Sequence, residues 1–236
     1  MLRFKHSGKL GDIIWSIPFI QSLGGGVLFI DINVMENGAP LLSEDSYNSI
    51  RPFLEMQESI QSVEIYRDEE IDFDLDIFRQ FRNPLTFNLV DNYFWAFGRA
   101  PSGGASYLPW LRVYGPSPTA RKIIVSRTGR YIIETPQHNP FYDRLVERGL
   151  ADQGIFIGFD EEHQIFKKQY NVEIPLLINK NVSILAAAIR DCDLWIGNEN
   201  LIGALAEGFK KTAVREIRKD REEVNCVFQR ANLFYI

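Results

Sequence analysis

The sequence predicts an α/β protein made of two successive layers of parallel strands covered by helices. Three observations carry that expectation. Short apolar runs recur on both sides of the chain's middle, and helical segments fall between them. A Pro-, Gly- and Ser-rich stretch, APSGGASYLPWLRVYGPSPTA (100–120), separates the two series.

Taken in order, MLRFKH alternates apolar and polar residues as a half-buried strand does. Ile13, Ile14, Ile17, Phe19 and Ile20 then recur at helical spacing, with Asp12 at the start of the segment. GGG at 24–26 lacks the spacing of a dinucleotide fingerprint and reads as a turn before the strand VLFIDINV (27–34). SYNSIRPFLEMQ is a helix and SVEIYR (62–67) a second strand, while the acidic run DEEIDFDLD (68–76) is expected to be a solvated surface segment. Tyr107, Trp110 and Leu111 interrupt the 100–120 stretch, which therefore reads as a packed connection. This places one domain at 1–116 and a second at 117–236. In the second, KIIVSRT (122–128), GIFIGF (154–159), DLWIGN (193–198) and TAVREI are strands. NPFYDRLVERGL, VSILAAAIRDC (182–192) and LIGALAEGF are the helices among them, and this alternation implies parallel sheets.

Composition excludes several classes. With 236 residues, 45% hydrophobic and 24% charged, the chain can bury a real core. Its longest apolar stretches fall well short of the roughly 18 residues of a membrane span, and no basic region with an apolar core opens the chain as a secretion signal does. A cytoplasmic protein without a membrane span is expected. A net charge of -5 argues against broad nucleic-acid binding. Two cysteines, Cys192 and Cys226, and three scattered histidines, His6, His138 and His163, make neither a disulfide framework nor a metal cluster, so no metal is expected. His163 in DEEHQIF reads as a surface residue.

Two glycine-centred motifs carry a resemblance. SGKLGDIIWSIPFIQSL resembles the opening of the ADP-heptose heptosyltransferase family, glycosyltransferase family 9, at Gly11, Asp12 and Pro18. DLWIGNENLIGALAEGFKKTAV (193–214) is similar to that family's donor-binding segment at Gly197, Asn198, Leu205 and Ala206, with Glu199 replacing an aspartate. RTGRYIIETPQHNPFYDRLVERG and GFDEEHQIF look like a short, divergent subgroup of such proteins. The family's donor motif continues Ser-Gly-Pro-x-His, where this chain has Asn200, Leu201, Ile202 and Ala204, so the histidine is absent. The resemblance implies a GT-B-like fold, two Rossmann-like domains facing across a cleft, with ligands beyond the carboxyl ends of the strands. It also implies a nucleotide-sugar donor as co-substrate, an acceptor the sequence does not name, and no cofactor.

Residue chemistry can be weighed beside it. A carboxylate at the start of a helix is favoured by the helix dipole, so Asp12 is either a cap or a general base for an acceptor hydroxyl. Ser7, Gly8, Lys9 and Gly11 form the turn around it, where glycine lets backbone approach a ligand. Ser126, Arg127, Thr128 and Arg130 follow a strand, and either meet diphosphate oxygens or form a polar turn. Asn198, Glu199 and Asn200 precede a helix, where free amides attract an anion, and the bland account is N-capping. Glu207 either reaches a ribose hydroxyl or lies on a solvated helix face. The expected activity is sugar transfer from a nucleotide-sugar, with Asp12 as base and the 117–236 domain on the donor. Alternatives are a catalytically silent sugar-nucleotide binder and a GT-B-type epimerase or hydrolase.

Overall fold

The computed structural model describes residues 1–80, 88–101, 107–129, 138–217 and 227–236. Its contacts divide the chain into two compact units. One comprises Met1–Tyr114, Lys180–Ser183 and Cys226–Gln229, the other Gly115–Asn179, Ile184–Asn225 and Arg230–Ile236.

The first unit opens with β1 (Leu2–His6), α1 (Leu10–Ser22) and β2 (Gly26–Ile30). A two-stranded ribbon, β3 (Met35–Glu36) and β4 (Ala39–Pro40), precedes α2 (Glu44–Leu54) and β5 (Ile60–Ile65). Next come β6 (Phe73–Asp74), a 3₁₀ turn at Leu75–Gln80 and α3 (Leu89–Ala96). Its four-stranded sheet has the order β5-β2-β1-β6, with every pairing parallel.

Residues Ile13 to Ile20 of α1 are all buried, whichever way they face. A helix apolar on every side belongs inside the protein, and α1 is enclosed by aromatic rings. Trp15 stacks on Phe228 at 5.3 Å between centroids, and Phe19 stacks on Phe97 at 4.8 Å while meeting Phe94 edge-on. Pro18 removes a backbone donor within this helix, a loss tolerated because packing rather than propensity holds it. Of the residues expected to pack the connection, Trp110 and Leu111 are buried, together with Val113, whereas Tyr107 is 67% exposed.

The acidic run 68–76 departs from its expected role. Phe73 and Asp74 pair with Phe4 and Lys5 as an edge strand, Phe73 stacks on Phe4 at 5.4 Å, and Leu75 is fully buried. Its apolar residues alternate with the carboxylates, and that alternation outweighs the charge.

The second unit contains β7 (Ile123–Ser126), α4 (Pro140–Glu147), α5 (Leu150–Gln153) and β8 (Gly154–Ile157). There follow α6 (Asp160–Tyr170), β9 (Leu176–Leu177), α7 (Val182–Asp191, of which Ile184 onward belongs to this unit), β10 (Leu194–Gly197), α8 (Leu201–Gly208), β11 (Thr212–Arg215) and β12 (Leu233–Tyr235). Six parallel strands run in the order β12-β11-β10-β7-β8-β9. Val125, Phe156, Ile196 and Val214 on four adjacent strands pack with Tyr142, Phe166 and Tyr170 from the helices.

Helix α6 carries Asp160, Glu161 and Glu162 in its first turn and Lys167 and Lys168 in its last, matching the helix dipole at both ends. It also corrects the reading of His163. That ring is buried against Phe156, and its Nε2 lies 2.8 Å from the Ile174 carbonyl oxygen. Cys192 is buried as well, and burial raises its thiol pKa to about 11, leaving it inert. Cys226 lies outside the described residues.

Glycines 24–26 make the turn before β2, Gly24 and Gly25 both having positive φ. Gly26 then passes so close to β1 that a methyl group would overlap the Leu2 carbonyl. We expect Gly26→Ala to cost roughly 1–3 kcal/mol, the usual range for overpacking, by prising β1 from β2. Urea denaturation followed by circular dichroism measures it, and an unchanged midpoint refutes the close approach.

Candidate functional site

In a parallel sheet the carboxyl ends of all strands lie on one edge, where ligands of such folds bind. In the first unit that edge carries the turn Ser7–Lys9 and the first turn of α1. Asp12 is the third residue of the helix, and its Oδ2 accepts the Lys9 backbone N–H at 3.3 Å. It is therefore a cap, and its side chain remains 28% exposed. The Arg79 guanidinium lies 3.5 Å from the same oxygen and donates to Asp76 at 2.7 Å. Lys9 turns away to Glu36 on the ribbon, at 2.7 Å.

Beneath Asp12 lies a chain of hydrogen bonds that begins at a fully buried histidine. The Gly8 N–H donates to His6 Nδ1 at 2.8 Å, so that nitrogen carries no proton and the ring is the neutral Nε2–H tautomer. Nε2–H is then the donor to the Tyr93 hydroxyl at 2.8 Å, and this hydroxyl donates to the Asp12 carbonyl at 2.9 Å. Burial pushes the His6 pKa below its ordinary value despite nearby Asp76, and burial holds the Tyr93 phenol well above its own. Asp76 accepts the Ser7 N–H at 3.0 Å. Burial raises its pKa, but the Ser7 hydrogen bonds and the Arg79 cation outweigh that and leave it lowered.

Two expectations about this turn change. Gly11 lies inside the first turn of α1 and not in the loop before it. Gly8 is the position that must be glycine, since a β-carbon there would strike the His6 ring and sit 2.6 Å from Arg79. Ser7 is buried and serves the Asp76 contact. His6, Asp76, Arg79 and Tyr93 were not singled out by sequence reasoning. The only signal available was the placement of His6 at the end of β1.

In the second unit the two segments 126–129 and 197–201 do converge. β7 and β10 are neighbours with Ser126 opposite Gly197, and a methyl group on Gly197 would overlap the Ser126 carbonyl. Just beyond, Thr128 N–H donates to Asn198 Oδ1 and Asn198 Nδ2 donates to the Thr128 carbonyl, both at 2.9 Å. Asn200 caps α8 by accepting the Gly203 N–H at 3.0 Å, and its Nδ2 donates to Ser126 Oγ at 3.2 Å. The Trp195 indole donates to that same Oγ at 2.8 Å.

Several residues assigned to phosphate are thus otherwise engaged. Ser126 and Asn198 are buried and hold the two turns together. Arg127 is 5% exposed, with Nε 2.7 Å from Glu216 and its guanidinium over the Tyr142 and Tyr170 rings. Its pKa is raised: burial lowers it, and Glu216 and the tyrosines more than compensate. Glu199 pairs with the buried Arg215. Glu207 is neither on a solvated face nor open to a ribose. It is fully buried, with Lys210 Nζ at 2.6 Å and Arg230 Nε at 3.0 Å. Arg130 lies outside the described residues. Among the described residues, the turns after β7 and β10 leave available the partly buried Thr128, the exposed Gly129 and the start of α8. There the Leu201 and Ile202 amides precede the capped Gly203, and the first amides of a helix lack partners within it.

No protein-family model matches this chain, and no curated protein is similar to it. Solved structures do match. One is the glycosyl transferase family 9 protein from Veillonella parvula DSM 2008, with TM-score 0.65 and 13% identity over 100% of this chain and 85% of the other. The E. coli heptosyltransferase WaaC with ADP matches with TM-score 0.62 and 10% identity, over 99% of this chain and 92% of the other. WaaC with ADP-2-deoxy-2-fluoro heptose matches with TM-score 0.56 and 8% identity, over 100% and 92%. At such identities the likeness is one of fold. The chain has the α/β, GT-B-like fold of these glycosyltransferases, and among its described residues no helix is long and apolar enough to cross a membrane.

Two measurements check this geometry. Unfolding lets His6 bind a proton that its folded environment disfavours, so its contribution is complete above about pH 6.5 and is lost as pH falls from there toward the depressed folded value. Stability measured by urea titration should fall below pH 6.5 with a slope of up to about 1.4 kcal/mol per pH unit, and His6→Gln should lack that component. Arg127→Ala should destabilise the second unit by about 3 kcal/mol, because it strands Glu216 without its cation. A melting temperature equal to wild type would return Arg127 to the surface turn.

Proposed function

We infer that the protein is a glycosyltransferase that moves a sugar from a nucleotide-sugar to an acceptor hydroxyl. The observation that carries this reading is Asp12. It is a carboxylate fixed by the first turn of α1 at the carboxyl edge of an all-parallel sheet, yet 28% exposed. As a general base it takes the proton of the acceptor hydroxyl, whose oxygen bonds to the anomeric carbon of the sugar as the bond from that carbon to the diphosphate breaks. The nucleoside diphosphate leaves with that electron pair. Arg79 keeps the carboxylate aligned, and the His6–Tyr93 chain holds the backbone from which Asp12 projects.

The donor falls to the second unit. Its support is the start of α8 beside the Thr128–Gly129 turn, where first-turn amides that the helix itself does not bond and a positive dipole end suit a diphosphate. The proteins with the same fold include one solved with ADP and with an ADP-sugar analogue, which is consistent with a nucleotide-sugar here. Charge-assisted contacts from Arg127 are not part of the reading, given its pairing with Glu216. A second reading, a sugar-nucleotide binder without transfer, draws on the absence of a histidine at Ala204.

The test incubates the protein with a panel of sugar nucleotides, with and without a panel of saccharide acceptors, and follows nucleoside diphosphate release. Acceptor-dependent release supports transfer, release without acceptor supports hydrolysis, and binding without release supports the silent reading. Asn at position 12 can still accept the Lys9 N–H, so Asp12→Asn should fold normally and bind nucleoside diphosphate as wild type does. Its transfer rate should fall roughly a hundredfold or more. Wild-type turnover in this variant would leave Asp12 a cap only.

A further inference from the structure

We propose that Phe159 is the platform on which the base of the nucleotide donor stacks. The inference rests on the donor reading above and adds to it a residue that contacts the neutral end of the ligand. Phe159 sits just past the carboxyl end of β8, next to β7 in the sheet, and its side chain is 75% exposed. It is also the N-cap of α6, with extended backbone and no side-chain cap bond. That position ordinarily takes Ser, Thr, Asp or Asn, because a side-chain oxygen there satisfies an amide that phenylalanine cannot. An apolar ring that forgoes capping and stays in water breaks a local rule, and such breaks concentrate at functional sites.

The ring's location is fixed by its neighbours. Glu162 accepts the Phe159 N–H with one carboxylate oxygen and the Gly129 N–H with the other, each at 3.2 Å. One side chain thus binds the turn after β8 to the turn after β7, where the diphosphate is assigned. Gly158 must be glycine for this to happen, because a β-carbon there would lie 2.7 Å from the Phe156 ring and 2.9 Å from Glu162. The turn is built to hold Phe159 beside Gly129.

Charge decides which end of the ligand belongs here. Asp160, Glu161 and Glu162 crowd the first turn of α6, and three carboxylates repel a phosphate. At α8 the first turn carries no acidic residue. A nucleotide laid along this edge therefore places its diphosphate toward α8 and its uncharged, flat base toward Phe159. Base–aromatic stacking tolerates any base, so this contact adds affinity for nucleotides as a class.

The experiment is calorimetric titration of the full chain with ADP, UDP, GDP and inorganic pyrophosphate. For whichever diphosphates wild type binds, Phe159→Ala should weaken binding roughly 5- to 100-fold, and Phe159→Tyr should restore it. Pyrophosphate, which has no base, should bind both proteins alike. In Phe159→Trp the emission of the new indole should be quenched by the nucleotide and not by pyrophosphate. Unchanged nucleotide affinity in Phe159→Ala overturns the proposal while leaving the donor reading intact, as does an equal loss for pyrophosphate. A change of sedimentation coefficient in Phe159→Ala without loss of nucleotide affinity overturns it in favour of self-association through the ring. If wild type binds none of the four ligands, the donor reading and this proposal fall together.

Discussion

Everything at the candidate site depends on parallel strand pairing. When every strand of a unit points the same way, all carboxyl ends arrive at one edge, and the turns that leave it must satisfy their own polar groups. The two units meet that demand differently. In the first, a buried histidine, a phenol and a carbonyl form a single donor chain ending at the main chain of Asp12. In the second, Asn198 and Asn200 join the turns by binding main chain and the Ser126 hydroxyl. Close strand approach makes both possible, and glycine at 26 and 197 permits it.

A consequence is that polarity at the edge is a poor guide to what faces a ligand. Ser126, Arg127 and Asn198 are the polar residues of the second unit that look most like phosphate ligands, and each is buried and bound within the fold. Their work is to fix the shape of the two turns. Among the described residues of the second unit, Thr128, Gly129 and Phe159 stay partly or largely exposed at that edge, and in the first unit Asp12 does at its own. Preorganisation of this kind separates the residues that define a site from those that touch its occupant, and substitutions in the two sets should differ in kind, one lowering stability and the other lowering binding or turnover.

Much of the architecture is legible in the sequence. The alternation in β1 and the short apolar runs on either side of a Pro/Gly/Ser-rich stretch are enough to read β1, β2, β5, β7, β8, β10 and β11. Elements whose signal is local and mixed escaped. DFDLD reads as charge because its carboxylates outnumber its apolar residues, yet Phe73 and Leu75 alternate with them and pack beneath. DEEHQIFKKQY is polar overall, and only the spacing of His163, Phe166 and Tyr170 on one face shows the helix. Burial of His6, Arg127 and Glu207 cannot be read from sequence, because each is buried through partners 16 or more residues away, such as Tyr93, Glu216 and Arg230.

Charge pairing in the second unit gives the site its remaining character. Arg127 is neutralised by Glu216, Arg215 by Glu199, and Arg230 together with Lys210 surrounds Glu207. These cations are spent inside the fold, and all but Lys210, which bonds Glu207 three residues before it, brace segments distant in sequence. Among the described residues, an anion in the donor place proposed above would meet the oriented amides at the start of α8. Dipoles fall off faster with distance than charges do, so they reward an anion only once it is seated. On the donor reading proposed above, affinity would then draw on the neutral parts of the ligand, for which the exposed Phe159 ring beside the turn is the proposed partner.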